Sequence, residues 1–178
     1  MKCDEIDIWS VDEVHFQQYG SRCRMWIPPE VKDPVLLHHP TRESVGYFGA
    51  VRFRDGKFAY RREMESFNGQ TFFDFLKQIR RKSCHAGRKT IIIMDNARYH
   101  HAILHKEWRI QSEQFFKCEY LPPYSPELNP IERIWKFTRR LCLHNRYFPK
   151  LSYVIGCVES QFDLWSGANE DLRKLCVI

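Results

Sequence analysis

The stretch Thr90-Ile91-Ile92-Ile93-Met94-Asp95 decides how this chain is read. Residues 90–94 carry no charge and are rich in β-branched side chains, the signature of a strand covered on both faces. The run stops at Asp95, an acidic residue of the kind that strand interiors disfavour. Upstream, Phe72, Phe75, Leu76 and Ile79 recur at helical spacing after Asn68-Gly69, with basic residues on the far side, so a helix is expected there. Before it, residues 45–53 and 57–63, parted by Arg54-Asp55-Gly56, have the pattern of a hairpin. Residues 6–16 (IDIWSVDEVHF) read as a further strand, with Ile6, Ile8, Ser10 and Asp12 on one face. Residues 22–27 read as a second short strand, and the proline-broken stretch 28–40 as an irregular connection.

Downstream of Asp95, residues 100–110 are expected to be helical and 115–121 to form a strand. The segment PPYSPELNP is a rigid loop that leads into a helix over about 130–145. One more amphipathic helix is expected over about 151–166, bearing Tyr153, Val154, Cys157, Val158, Phe162 and Trp165. An antiparallel meander followed by strand–helix units makes an α/β protein, a mixed sheet with helices on its faces. No linker-like stretch divides the chain, so residues 1–178 are expected to be a single domain with its core over about 5–146.

Bulk properties narrow the class. A length of 178 residues with 43% hydrophobic and 15% aromatic content suits one packed core that needs no staples. No run of 18 apolar residues exists, so no membrane span is expected. The N-terminal MKCDEIDIWS is acidic and lacks an apolar stretch, unlike a signal peptide, which makes an intracellular location the expectation. Seven scattered cysteines without a CxxC pair argue against a zinc ribbon or a disulfide framework and for reduced thiols. His101 and His105 stand one helical turn apart, but no further ligand lies at finger-like spacing. The net charge of +6 is clustered: Arg52 to Arg62, Lys77 to Lys89, and Arg133 to Lys150 each hold several basic residues. Three such groups beside candidate acidic ligands point to a polyanionic partner, nucleic acid.

Three carboxylates stand out among these elements: Asp12 within the first strand, Asp95 at the end of the central one, and Glu132 at the head of a helix. An ionised carboxylate beside an apolar sheet is costly unless compensated, and a divalent cation would compensate two at once. Glu132 has two local explanations, because Asn129-Pro130-Ile131-Glu132 also suits an N-cap with a capping box. Its helix carries Ile131, Ile134, Trp135, Thr138, Leu141 and Cys142 as a core stripe. Glu132, Lys136, Arg139 and Arg140 share another face. An acidic head above a basic strip suits a metal site that continues into a phosphate-binding surface.

Three segments carry a family resemblance: Asp12-Glu13-Val14-His15-Phe16, Ile93-Met94-Asp95-Asn96-Ala97-Arg98-Tyr99-His100, and Leu121-Pro122-Pro123-Tyr124-Ser125-Pro126-Glu127-Leu128-Asn129-Pro130-Ile131-Glu132. Together they resemble the catalytic (DDE) domain of mariner-like transposases, in particular the bacterial insertion-sequence branch. The spacing of 36 residues between Asp95 and Glu132 is close to that of the superfamily. The resemblance implies a ribonuclease-H-like fold of the retroviral-integrase type, a mixed five-stranded sheet with helices on both faces. It implies that Asp12, Asp95 and Glu132 are catalytic and bind two Mg²⁺ or Mn²⁺ ions for DNA cleavage and strand transfer. DNA, as transposon ends and target, and a homodimer in the active complex are the implied partners, in the cytoplasm or nucleoid if the source is bacterial. Asn96, Arg98, His100 and Asn129 are candidates for positioning phosphate or water, with Lys136, Arg139 and Arg140 as further DNA contacts. Family members carry helix-turn-helix domains ahead of the first aspartate, whereas eleven residues precede Asp12, so the chain is expected to be the catalytic portion alone. Two alternatives stay open: a nuclease of the same fold without strand transfer, and a catalytically silent DNA-binding remnant.

Overall fold

A computed structural model describes residues 6–24, 26–31, 37, 40–83, 88–123 and 125–177. Strand β1 (Ile6–Gln17) lies at the centre of a five-stranded sheet. It pairs antiparallel with β2 (Ser44–Arg52), which pairs antiparallel with β3 (Phe58–Glu63). On its other edge it pairs in parallel with β4 (Lys89–Met94), which is followed by parallel β5 (Phe116–Tyr120). The order is therefore β3-β2-β1-β4-β5, the mixed arrangement expected for a ribonuclease-H-like fold.

The period-two alternation of β1 divides the core into two layers. Val14 and Phe16 belong to one cluster with Ile131, Ile134 and Trp135 of α3 (Ile131–Thr138), Val154 and Phe162 of α4 (Leu151–Leu164), and Leu172 of α5 (Glu170–Leu175). Trp9 and Val11 join Phe72, Phe75, Leu76 and Ile79 of α1 (Gly69–Ser83) on the opposite face. Trp108 of α2 (Lys106–Ser112) packs at the edge of that second cluster. Asn68 starts α1 as the sequence indicated, its Oδ1 accepting the backbone N–H groups of Gln70 and Thr71 at 2.9 and 3.0 Å. In the β2–β3 connection, Gly56 takes φ +67°, a conformation that favours glycine. A Cβ there would also meet the carbonyl of Asn169.

Several sequence expectations change. Residues 22–24 and 26–27 are not in a strand, and Met25 lies outside the described residues. The physical reason is that both edges of β1 are already taken by β2 and β4, and the nearest pairing is an isolated bridge at the preceding residue, Ser21 to His144. β4 is fully buried at Thr90, Ile92 and Met94 but half-exposed at Ile91 and Ile93, so one of its faces is only partly covered. The region 100–110 opens as two 3₁₀ turns, Arg98–His101 and Ile103–His105, before α2 begins. The helix expected to reach 145 leaves α-geometry at Thr138 and continues as a π-helical turn, Arg139–Leu143. Two C-terminal helices, α4 and α5, stand where one was expected. No helix among the described residues is long and apolar enough to cross a membrane. Cys23, Cys118, Cys142, Cys157 and Cys176 carry free thiols, while Cys3 and Cys84 fall outside the described residues.

The docking of α3 depends on a missing side chain. The indole of Trp135 lies on the sheet over Gly49, with Phe16 and Phe58 edge-on to it. A Cβ at Gly49 would sit 2.2 Å from Cη2 of Trp135, closer than any real contact. Gly49→Ala should therefore push α3 off the sheet and lower stability by about 1–3 kcal/mol, the usual cost of overpacking. Urea unfolding monitored by tryptophan fluorescence measures this, and an unchanged midpoint would show that Trp135 moves aside freely.

Candidate active site

The parallel pairing of β1 with β4 is recorded through Ser10↔Ile93, and continuing that register by two residues sets Asp12 opposite Asp95. Asp12 is interior to β1 and shares a face with Ser10 and Val14. Asp95 is the first residue beyond β4. Glu132 is the second residue of α3, on the helix that packs against that same face of β1. Asp12, Asp95 and Glu132 accordingly line one cavity of about 430 Å³, together with Asn96, Asn129, residues 121–123, Ser125 and Pro126.

The acids occupy different electrostatic environments. Asp12 is 9% exposed, and its carboxyl is pushed up to about 8. Burial is the leading cause, the neighbouring charge of Glu13 adds to it, and Glu132 adds less. Trp135 opposes this shift by donating its indole N–H to Oδ2 of Asp12 at 2.9 Å. Asp95 is half-exposed and lies below the ordinary carboxylate range. His100 is the main cause: its Nδ1 stands 2.9 Å from Oδ1 of Asp95 and 3.1 Å from the Asp95 carbonyl oxygen. The Ala97 backbone N–H donates to the same carboxylate at 3.1 Å. The Glu132 N–H donates to the Asn129 carbonyl at 3.1 Å, whereas its carboxylate makes no hydrogen bond or ion pair among the described residues.

The capping explanation for Glu132 does not hold. Pro130, not Asn129, is the N-cap of α3, and no side-chain cap bond is formed there. The Asn129 N–H that a capping box would engage donates instead to the Pro126 carbonyl at 3.0 Å. The glutamate is thereby left directed to the cavity.

The other candidates divide by burial. Asn96 is exposed at the cavity and donates through Nδ2 to the Leu121 carbonyl. Arg98, Lys136 and Arg140 are exposed. Arg139 is half-buried, its guanidinium 5.5 Å from the Phe16 ring centroid. It lines a second cavity of about 760 Å³ with His15, Tyr19 and Arg22. His100 and Asn129 differ from surface phosphate contacts, because their exposures are 1% and 3%. Nδ1 of His100 is spent on Asp95, and the Asn129 amide on Ser10 and Val11.

Residues that the sequence did not single out complete the surroundings. Trp135 was legible as core, but nothing in its spacing disclosed that its N–H would meet Asp12. Glu13 points to the opposite face of β1, towards His100 at 4.0 Å, and its carboxyl is raised, mainly by burial.

No three His, Cys, Asp or Glu side chains among the described residues form a closed ligand cluster. Asp12 is held by Trp135 and Asp95 by His100. The donor set nonetheless fits a hard divalent cation, because all three groups offer oxygen. Asp12 in particular is a carboxylate whose ionised form is disfavoured by burial and by two acidic neighbours.

A ribonuclease-H-like sheet with acidic residues gathered over its central strands defines the class of enzymes that act on polynucleotide backbones. The chain belongs to the DDE superfamily endonuclease family, whose model matches residues 7–155. It is similar to uncharacterized protein y4pE/y4sA of Sinorhizobium fredii (strain NBRC 101917 / NGR234), 34% identical over 108 residues, 61% of this chain and 75% of that protein. Among solved structures it resembles the Mos1 mariner paired-end complex with Mn, with a TM-score of 0.67 at 16% identity, covering 97% of this chain and 52% of the other. The Mos1 strand transfer complex gives 0.65 at 17%, covering 97% and 50%. The catalytic domain of Mos1 mariner transposase gives 0.55 at 13%, covering 97% and 75%. At these identities the likeness is one of fold. The chain spans about half the length of the Mos1 chains in the two DNA complexes. The resemblance to mariner-like transposases seen in the three motifs is thus matched by both family and fold.

The burial of Asp12 has a consequence for stability. In the folded chain Asp12 keeps its proton up to about pH 8, whereas the unfolded chain loses it near 3.8. Between those values the folded state binds more protons, so the free energy of unfolding falls as pH rises. Asp12→Asn should flatten that fall and raise the metal-free melting temperature at pH 8, each 1 kcal/mol being worth roughly 2–4 °C in a chain of this size. Melting curves at pH 5 and pH 8 check it; equal losses in both proteins would mean that Asp12 is not the strained group.

Proposed function

We propose that the chain is a DDE transposase catalytic domain that hydrolyses DNA phosphodiester bonds and joins the freed ends to target DNA. Asp12, Asp95 and Glu132 are its catalytic residues in this proposal. The observation that carries it is the convergence of these acids, from β1, the end of β4 and the head of α3, on one cavity. Two divalent ions, Mg²⁺ or Mn²⁺, held by these carboxylates would supply an activated nucleophile and charge stabilisation at the leaving oxygen. The three carboxylates offset the charge of the ions while leaving positions open to phosphate oxygens.

The protein's own groups position the reaction. Trp135 holds Asp12 from the helix side, and His100 with the Ala97 N–H holds Asp95. Glu132 stays free of competing protein partners for the site. In hydrolysis, a water oxygen bonds to phosphorus as the bond to the 3′ oxygen breaks, leaving a 3′-hydroxyl and a 5′-phosphate. In joining, that 3′-hydroxyl replaces water and attacks a target phosphodiester, so one phosphodiester forms as another breaks. No protein nucleophile is required. Lys136 and Arg140 are exposed further along the helix from Glu132, and Arg98 follows Asp95, so the DNA backbone would run from the cavity over these cations, with Arg139 at the neighbouring cavity beside them. Asn96, at the cavity wall, would order a phosphate or water. The active assembly would be a homodimer on paired DNA ends, inside the cell and without membrane association.

Asp12→Asn, Asp95→Asn and Glu132→Gln should each abolish Mg²⁺-dependent nicking of a labelled duplex while the folded state survives. Glu132→Gln is the most telling, since the Glu132 side chain makes no hydrogen bond among the described residues, and normal nicking by that variant would remove it from the site. A second assay with a pre-cut 3′ end separates strand transfer from simple nuclease action. If nicking occurs but joined products never form, the chain is a nuclease of the same fold. For the DNA surface, Lys136→Ala and Arg140→Ala should each lower the slope of log binding constant against log salt by roughly 0.9. A slope that does not move would place the duplex elsewhere.

A further inference from the structure

We infer that Ser10 and Asn129 form a buried latch that positions Glu132 beside Asp12, which makes both of them positioning residues for the acidic site. The inference rests on the proposal that this site works with divalent metal. The first turn of a helix leaves backbone N–H groups without intrahelical partners. At α3 the N-cap is Pro130, which forms no side-chain cap bond. A residue from the sheet serves instead: the Ser10 hydroxyl accepts the Ile131 N–H at 3.4 Å and donates to Oδ1 of Asn129. Asn129 then donates through Nδ2 to the Val11 carbonyl at 3.3 Å, one residue past the last recorded β1–β4 pair.

All three residues are sealed from solvent, with Ser10 at 0%, Asn129 at 3% and Ile131 at 0% exposure. Each link therefore acts where an unpaired polar group is costly, and the strand-to-helix joint has one satisfied arrangement. Ser10 precedes Asp12 by two residues on the same face of β1, and Ile131 immediately precedes Glu132. The latch thus ties the strand bearing one acid to the helix bearing another, within two residues of each. Between β5 and α3, the Leu121 N–H still donates to the Met94 carbonyl at 2.8 Å, and among the described residues 122, 123 and 125–130 none pairs in the sheet. The latch fixes where the helix begins and hence where Glu132 points.

A purely structural role would give the same buried bonds, so the test needs a reading that stability alone does not move. The full chain and its Ser10→Ala, Asn129→Ala and double variants are compared by amide hydrogen exchange and by Mn²⁺ titration followed by electron paramagnetic resonance. Exchange at Ile131 and Glu132 should quicken in each variant while that at Trp135 and Thr138 stays near the wild-type rate. Mn²⁺ affinity should weaken by about 10-fold, as for other groups that orient metal ligands. The double variant should bind no more weakly than the weaker single one, because the two residues act as a unit. Ser10→Ala, the milder change, carries the test if Asn129→Ala does not fold. Unchanged exchange at Ile131, or faster exchange with unchanged Mn²⁺ affinity, overturns the positioning role. A wild-type chain that binds no Mn²⁺ overturns the metal assignment itself, and the positioning role falls with it; that outcome is distinct from a wild type that binds and variants that bind equally.

Discussion

A carboxylate set into the central strand of an apolar sheet is the constraint to which the neighbouring elements answer. Asp12 is nearly buried, flanked by Glu13 in its own strand and facing Glu132 from α3, and its charged form is strongly disfavoured. Such a group persists where its surroundings supply donors or a cation. Here the protein supplies the Trp135 indole and, more weakly, the Glu13 backbone N–H, and leaves a cavity on the remaining side. Gly49 opposite Asp12 in β2 lets that indole approach the sheet closely, so the smallest residue in the strand and the largest in the helix are parts of one arrangement.

Asp95 shows the contrary solution. It stands at the mouth of the cavity, half-exposed, and a buried histidine together with a backbone N–H favours its ionised form. Two carboxylates placed side by side by parallel pairing are therefore poised differently, one reluctant to ionise and one readily ionised. A dication would reconcile the two, since it discharges the first without requiring the second to change. Glu132, whose carboxylate has no hydrogen bond or ion pair among the described residues, completes a set of oxygen donors from three separate elements. In the function proposed above, this arrangement would serve phosphoryl transfer on DNA.

The basic residues show why clusters in sequence need not be clusters in function. Arg52 is buried against Asp7 and Asp55 at the far end of the sheet, where it holds the β2–β3 turn. Lys77 pairs with Asp74, and Arg80 lies over Trp108 while donating to Ser112. Only the third group, on α3 and the π-helical turn that follows it, continues directly from the acidic cavity. Arg139, the first residue of that turn, lies over Phe16 and lines the neighbouring cavity, while Lys136 and Arg140 are exposed.

Much was legible in the chain itself. The uncharged run ending in Asp95, the hairpin about Arg54-Asp55-Gly56 and the Asn68 helix start are local signals, written in period and in turn chemistry, and they appear as expected. The three motifs named the family because spacing along a chain survives when overall identity does not. Other features belonged to the tertiary structure alone. A period-two pattern cannot say which strand will take an edge, so the segment after Tyr19 was credited with a strand that β2 and β4 leave no room for. Asn129 looked like a cap and a DNA contact, since capping residues and phosphate ligands are drawn from the same small polar set. Only the approach of Ser10, 119 positions away, turned its side chain inward. The same holds for Trp135 and Asp12: sequence places each on a buried face, but long-range packing brings donor to acceptor, and that distance is set by the whole sheet.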